Sequence, residues 1–186
     1  MCEWPSHNTY NFPSRMILKR LAAAVTLAVG ATMVMTAQST DPLQARLKQL
    51  FPSATAFSPK GGEPPHFKAL AGPKSQDVIG YAFLTTEVSP LERGYGGPIV
   101  MLVGIDLKGI LTGIVIADHH EPYGDFSIDR PNFAATFKGK DVRDPFRLGT
   151  DIDAVSRATI TMSSAVRAIR NSARRVAREL IAPPKP

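Results

Sequence analysis

The sequence has 186 residues, a formal net charge of +6 and a single cysteine, Cys2. One cysteine excludes a disulfide framework, a cysteine zinc site and an iron–sulfur cluster. From Gln38 onward 19 Lys and Arg face 15 Asp and Glu, and the stretch from Arg157 to the end holds 7 of those bases with one acid.

The chain opens on a polar stretch, 1–15, which is expected to be a mis-assigned extension, because Met16-Ile17-Leu18-Lys19-Arg20 makes a better start. Lys19 and Arg20 precede an apolar run from Leu21 to Met35 that ends in small residues near Thr36, Ala37 and Ser39. That charged, apolar, small-residue order predicts a cleaved secretory signal over 16–39, and the run is too short for a membrane span. The expected location is the periplasm or another extracytoplasmic compartment, with the protein soluble after cleavage. Nucleic acid is not expected as a partner there. The basic C-terminal excess reads as a solvated helix face, or as a surface for an acidic protein or an anionic membrane.

Over 40–77 a short helix and loops are expected. Asp41-Pro42 supplies an N-cap and a first-turn proline, and Leu43, Leu47, Leu50 and Phe51 follow at helical spacing. The stretch from Ser58 to Pro65 is rich in proline and glycine and reads as loop. Three apolar, β-branched runs come next, Val78 to Thr86, Ile99 to Ile105 and Ile110 to Ala117, the last two joined as a hairpin through Asp106-Leu107-Lys108-Gly109. Between the first two, Glu92-Arg93-Gly94-Tyr95-Gly96-Gly97-Pro98 reads as an ordinary connection or as a loop whose backbone approaches a ligand.

Pro131 to Phe137 predicts a short helix. A long amphipathic helix is expected from about Thr161 to Leu180, with Val166, Ile169, Ala173, Val176 and Leu180 on one stripe and Arg167, Arg170, Arg174 and Arg178 on its neighbour. Strands between terminal helices predict an α+β domain, an antiparallel sheet covered on one face by helices. The domain proper is expected over 78–182, followed by a tail, 183–186.

Two further segments carry chemical interest. Asp153 to Thr161 is small and hydroxyl-rich and lies directly before the long helix, which makes it either a run of N-cap candidates or a phosphate seat at a helix start. Asp118-His119-His120-Glu121-Pro122-Tyr123-Gly124 ends an apolar strand. Strand geometry would turn His119 and Glu121 one way and Asp118 and His120 the other, which argues against a shared metal and leaves a strand-end polar cluster or a ligand wall. There is no hydrolase elbow, zinc-protease motif, P-loop or Rossmann fingerprint, so no catalytic residue and no metal site are assigned.

In this order the segments resemble the periplasmic FMN-binding domain of NosR and NirI-type proteins, and are similar to the covalent-FMN subunits of Rnf and sodium-pumping NADH:quinone oxidoreductase complexes. The family pattern runs from an Asp through two variable residues to Ser or Thr, Gly, Ala and Thr. Asp153, Ser156, Ala158 and Thr159 match it. His119, Glu121 and Gly124 match a His-x-Glu-x-x-Gly loop, and Gly80-Tyr81 and Gly94-Tyr95-Gly96-Gly97 also fit. The resemblance implies FMN esterified to Thr159 by a flavin transferase, with His119, Glu121, Tyr95 and Gly96 near the flavin.

It further implies an electron carrier or accessory redox module serving a membrane-bound or periplasmic oxidoreductase, rather than a substrate-turnover enzyme. The alternative is a flavin-free interaction domain of the same fold that docks on a redox partner through its arginine stripe. Arg157 stands where the pattern has glycine. It either impairs flavinylation, if the position demands a positive φ, or adds a cation beside the phosphate.

Overall fold

The carboxylate of Asp41 accepts a hydrogen bond from the Leu43 N–H at 3.0 Å, and Pro42 fills the first helical position, so helix α1 begins where the sequence signals it, at Pro42–Leu50. The structure is a computed structural model that describes residues 41–181 except 73, 75 and 89. The expected extension, signal segment and tail lie outside the described residues.

Five antiparallel strands follow as a meander in the order β1-β2-β3-β4-β5. They are β1 (Ala56–Phe57), β2 (Phe67–Ala71), β3 (Asp77–Leu84), β4 (Val100–Asp106) and β5 (Leu111–Asp118). The β4–β5 hairpin closes on Asp106, whose side chain accepts from the N–H groups of Lys108 at 2.8 Å and Ile110 at 2.9 Å. Gly109 follows in the left-handed region at φ +83°. Helix α2 (Pro131–Phe137) then leads through an irregular stretch to α3 (Thr159–Leu180).

Strands β1 and β2 were not foreseen in a segment expected to hold only a helix and loops. The first has two residues, and the second, Phe-Lys-Ala-Leu-Ala, has no β-branched side chain to announce it. A second difference concerns the layers. Met101, Val103 and Ile105 of β4 point into a core shared with α2 and α3, whereas Leu102 points into a core built with Leu47, Leu50 and Phe51 at α1. The sheet is therefore covered on both faces, not on one. A strand buried on both sides needs apolar residues at every position, which is why β4 shows no polar alternation.

Both edges of the sheet are limited. β1 is two residues long, and β2 beside it carries a register shift between Ala69 and Leu70. At the other edge, Leu111 of β5 donates its N–H to the Lys140 carbonyl and accepts from the Gly139 N–H, both at 2.8 Å. The guanidinium of Arg46 reaches the Ala117 carbonyl at 3.3 Å. No helix among the described residues is long and apolar enough to cross a membrane.

Candidate functional site

Three stretches meet at the start of α3: the glycine loop before β4, the turn after β5 and the residues leading into the helix. The loop is fixed at its entrance by Glu92, which accepts from Arg167 Nε at 3.0 Å and Asn171 Nδ2 at 3.2 Å, both on α3. Within it the Gly94 N–H donates to the Gly97 carbonyl at 2.7 Å.

Glu121 is the hub. Its side chain is buried, with the residue 7% exposed, and it accepts from the backbone N–H of Tyr95 at 3.1 Å and of Gly96 at 2.8 Å. It also accepts from the hydroxyl of Thr161 on the first turn of α3. Three donors thus satisfy a carboxylate that would otherwise be costly to bury. Two loop glycines are explained by this approach: a Cβ on Gly94 would lie 2.2 Å from Glu121 Oε1, and one on Gly96 would lie 1.9 Å from the His120 carbonyl oxygen.

His119 orders the neighbouring turn. Its Nδ1 accepts the Glu121 N–H at 3.1 Å, so the proton is assigned to Nε2, which donates to Asp129 at 3.0 Å. A Cβ at Gly124 would lie 2.3 Å from His119 Cε1. The turn so fixed carries Tyr123. His120 is exposed, so the two histidines do not converge.

Between the loop and the turn opens a cleft of about 360 Å³, with Tyr95 and Tyr123 on one side and residues 157–161 on the other. Such a volume lies within the range of about 300–1,000 Å³ usual for small-molecule sites. Tyr95 is 70% and Tyr123 51% exposed, so two rings present free faces beside the cleft. Ala158 is the N-cap of α3 and provides no side-chain hydrogen bond, and no acid lies in the first turn. Capping by the local hydroxyls, one of the two readings of this segment, is thus not what the chain does. Thr159 is the first helical residue and is exposed.

Arg157 has φ +71°. The position that matches the pattern's glycine is left-handed in this chain, and an arginine occupies it and lines the cleft. Thr159, Arg157, Ala158 and Tyr95 border one space, while Glu121, Gly96, His119 and Gly124 form the bonded frame behind it. Asp153 stands apart and lines a separate cavity of about 180 Å³ beside α2, and Ser156 is simply exposed. Tyr123 and Thr161 of the two segments of chemical interest, and Asp129 outside them, also belong to the site. The spacing of Tyr123 within the matched loop was the one signal for it, and Asp129 had none, since its role depends on a fold-made contact with His119.

A cleft bordered by two tyrosines, an arginine and a helix start without a side-chain cap, on a helix-covered antiparallel sheet, makes an α+β module with a site suited to an anionic, ring-bearing ligand. Residues 94–174 match the family model of the FMN-binding domain, which indicates FMN binding. The exposed rings and the open helix start are chemically suited to such a group.

Among curated proteins, the chain is 28% identical over 147 residues to the regulatory protein NosR of Stutzerimonas stutzeri, covering 74% of this chain and 20% of that one. It is 28% identical over 127 residues to NosR of Pseudomonas aeruginosa, covering 63% and 17%. It is 30% identical over 122 residues to a subunit of the ion-translocating oxidoreductase complex of Erwinia tasmaniensis, covering 60% and 56%. The chain thus spans a minor part of the NosR proteins and little more than half of the oxidoreductase subunit.

Proposed function

We propose that this domain is an exported electron carrier with FMN joined to Thr159 by a phosphoester, passing electrons between separate redox proteins. The observation that carries the reading is the Thr159 hydroxyl, exposed at the uncapped first position of a 22-residue helix and bordering the cleft of Tyr95 and Tyr123. The match of Asp153, Ser156, Ala158 and Thr159 to the acceptor pattern supports it. The bond would join Thr159 Oγ to the phosphorus of FMN, and the product corresponds to FMN plus protein less one water. When bound, the flavin ring takes up and releases electrons. The protein's part is to hold and orient it. Glu121 fixes the glycine loop against α3, His119 fixes the turn that bears Tyr123, and the rings of Tyr95 and Tyr123 would help to hold the flavin.

A covalent link suits an exported protein, which has no free flavin pool to refill an emptied site. The maturation partner is a flavin transferase, and the electron donor and acceptor are other proteins. The alternative, docking through the arginine stripe without flavin, has a reduced surface. Arg167 is paired with Glu92, and Arg174 donates to the carbonyls of Val142 and Asp144 at 2.9 and 2.7 Å.

The test is coexpression with a flavin transferase followed by intact-mass measurement. The expected product is yellow, heavier than the peptide by FMN less water, and unmodified when Thr159→Ala is introduced. An unmodified mass with Thr159 intact would overturn the reading.

A further inference from the structure

The geometry points to Arg157 as the residue that selects the phosphate of the flavin, so that the cleft distinguishes FMN from riboflavin before any covalent bond forms. This rests on the cleft's being the flavin site, as proposed above.

Arg157 sits where free arginine is least favoured. Its backbone is left-handed at φ +71°, a region that L-residues other than glycine, asparagine and aspartate seldom occupy. Its charge lies two residues before Thr159, at the positive end of the α3 dipole, and no acid in the first turn offsets it. Four arginines of α3 have partners: Arg167 has Glu92, Arg175 has Glu63, Arg178 has Glu179, and Arg174 has the carbonyls of residues 142–144. Among the described residues, no carboxylate forms an ion pair with Arg157. The carboxylate of Glu121 reaches that first turn but is taken up by Thr161, Tyr95 and Gly96, so the exposed Arg157 borders the cleft with its charge available to an incoming anion. A phosphate monoester would offset the charge repulsion, since it accepts from helix N–H groups and from a planar, fork-shaped donor.

The cleft supplies the other half of the recognition. Tyr95 and Tyr123 offer ring faces that are indifferent to whether a phosphate is present, whereas Arg157 acts on the phosphate alone. Ring and phosphate recognition are therefore separable by mutation.

The experiment uses protein purified without a flavin transferase and carrying Thr159→Ala, so that binding stays reversible. FMN and riboflavin are titrated by quenching of flavin fluorescence, with circular dichroism to verify folding. FMN is expected to bind on the order of 10–100-fold more tightly than riboflavin, as a hydrogen bond to a charged group implies. Arg157→Gln and Arg157→Gly should each remove most of that ratio and leave riboflavin affinity unchanged. Inorganic phosphate should compete with FMN and not with riboflavin. A ratio that survives both substitutions overturns the assignment to Arg157 while leaving the flavin site intact. Failure of both flavins to bind the folded protein overturns both the assignment and the site reading.

Discussion

The hydroxyl of Thr161 donates to the carboxylate of Glu121, joining the first turn of α3 to the segment that follows β5. Since the same carboxylate holds the backbone of Tyr95 and Gly96, one buried side chain keeps all three walls of the cleft in register.

Removing this hub should be expensive. Glu121→Ala orphans three donors and is expected to destabilise the domain by about 3 kcal/mol, with Glu121→Gln costing roughly half as much because one oxygen acceptor remains. A double-mutant cycle with Thr161→Val should return a coupling on the order of 1–2 kcal/mol. Urea unfolding monitored by circular dichroism measures both, and additive effects would refute the hub.

The loop glycines make a sharper demand. Gly96→Ala would push a methyl group into the His120 carbonyl, which cannot swing aside as a side-chain tip can. A loss of about 2 kcal/mol or more and impaired flavin loading are expected. Gly61→Ala is the control, since a Cβ there meets nothing within 4 Å, and its effect should stay within about 0.5 kcal/mol.

Coverage of the second sheet face can be tested through Leu102, which is fully buried toward α1. Leu102→Ala should cost about 2–5 kcal/mol, as other large core truncations do. A cost under about 1 kcal/mol would show that α1 contributes little to the fold.

Acid sensitivity has an identifiable local source. Hydrogen bonds from the Arg143 side chain and backbone N–H hold the Asp141 carboxyl at about 2, below its usual 3.8. A lowered carboxyl favours the folded state while ionised, so its contribution is complete above pH about 4 and fades as pH falls toward 2. The urea midpoint should decline over that interval, and Asp141→Asn should flatten the decline. The effect should be small, because Arg143 is largely solvated.

Much of this protein was legible in advance because local chemistry and tertiary need agreed. Asp41-Pro42 announced α1, Pro131 announced α2, and the stripe of Val166, Ile169, Ala173 and Val176 announced α3. β2 was not legible, since Phe67 to Ala71 becomes a strand only by pairing with β3. The start of α3 moved from Thr161 to Thr159 because the cap falls on Ala158, a residue with no capping chemistry to read. At the site, the glycines and Glu121 stood out by type and spacing. The bonds among them span 25 to 40 residues of sequence and follow only from the folded sheet and helix.

The treatment of the sheet margins bears on how such a protein behaves in company. An edge that offers a long row of unpaired amides invites strand addition, and through it dimers, swaps and fibrils. Here the β1 margin is too short to serve as a template, and the opening of β5 is occupied by the backbone of residues 139 and 140. A partner strand is thereby denied these two points of entry.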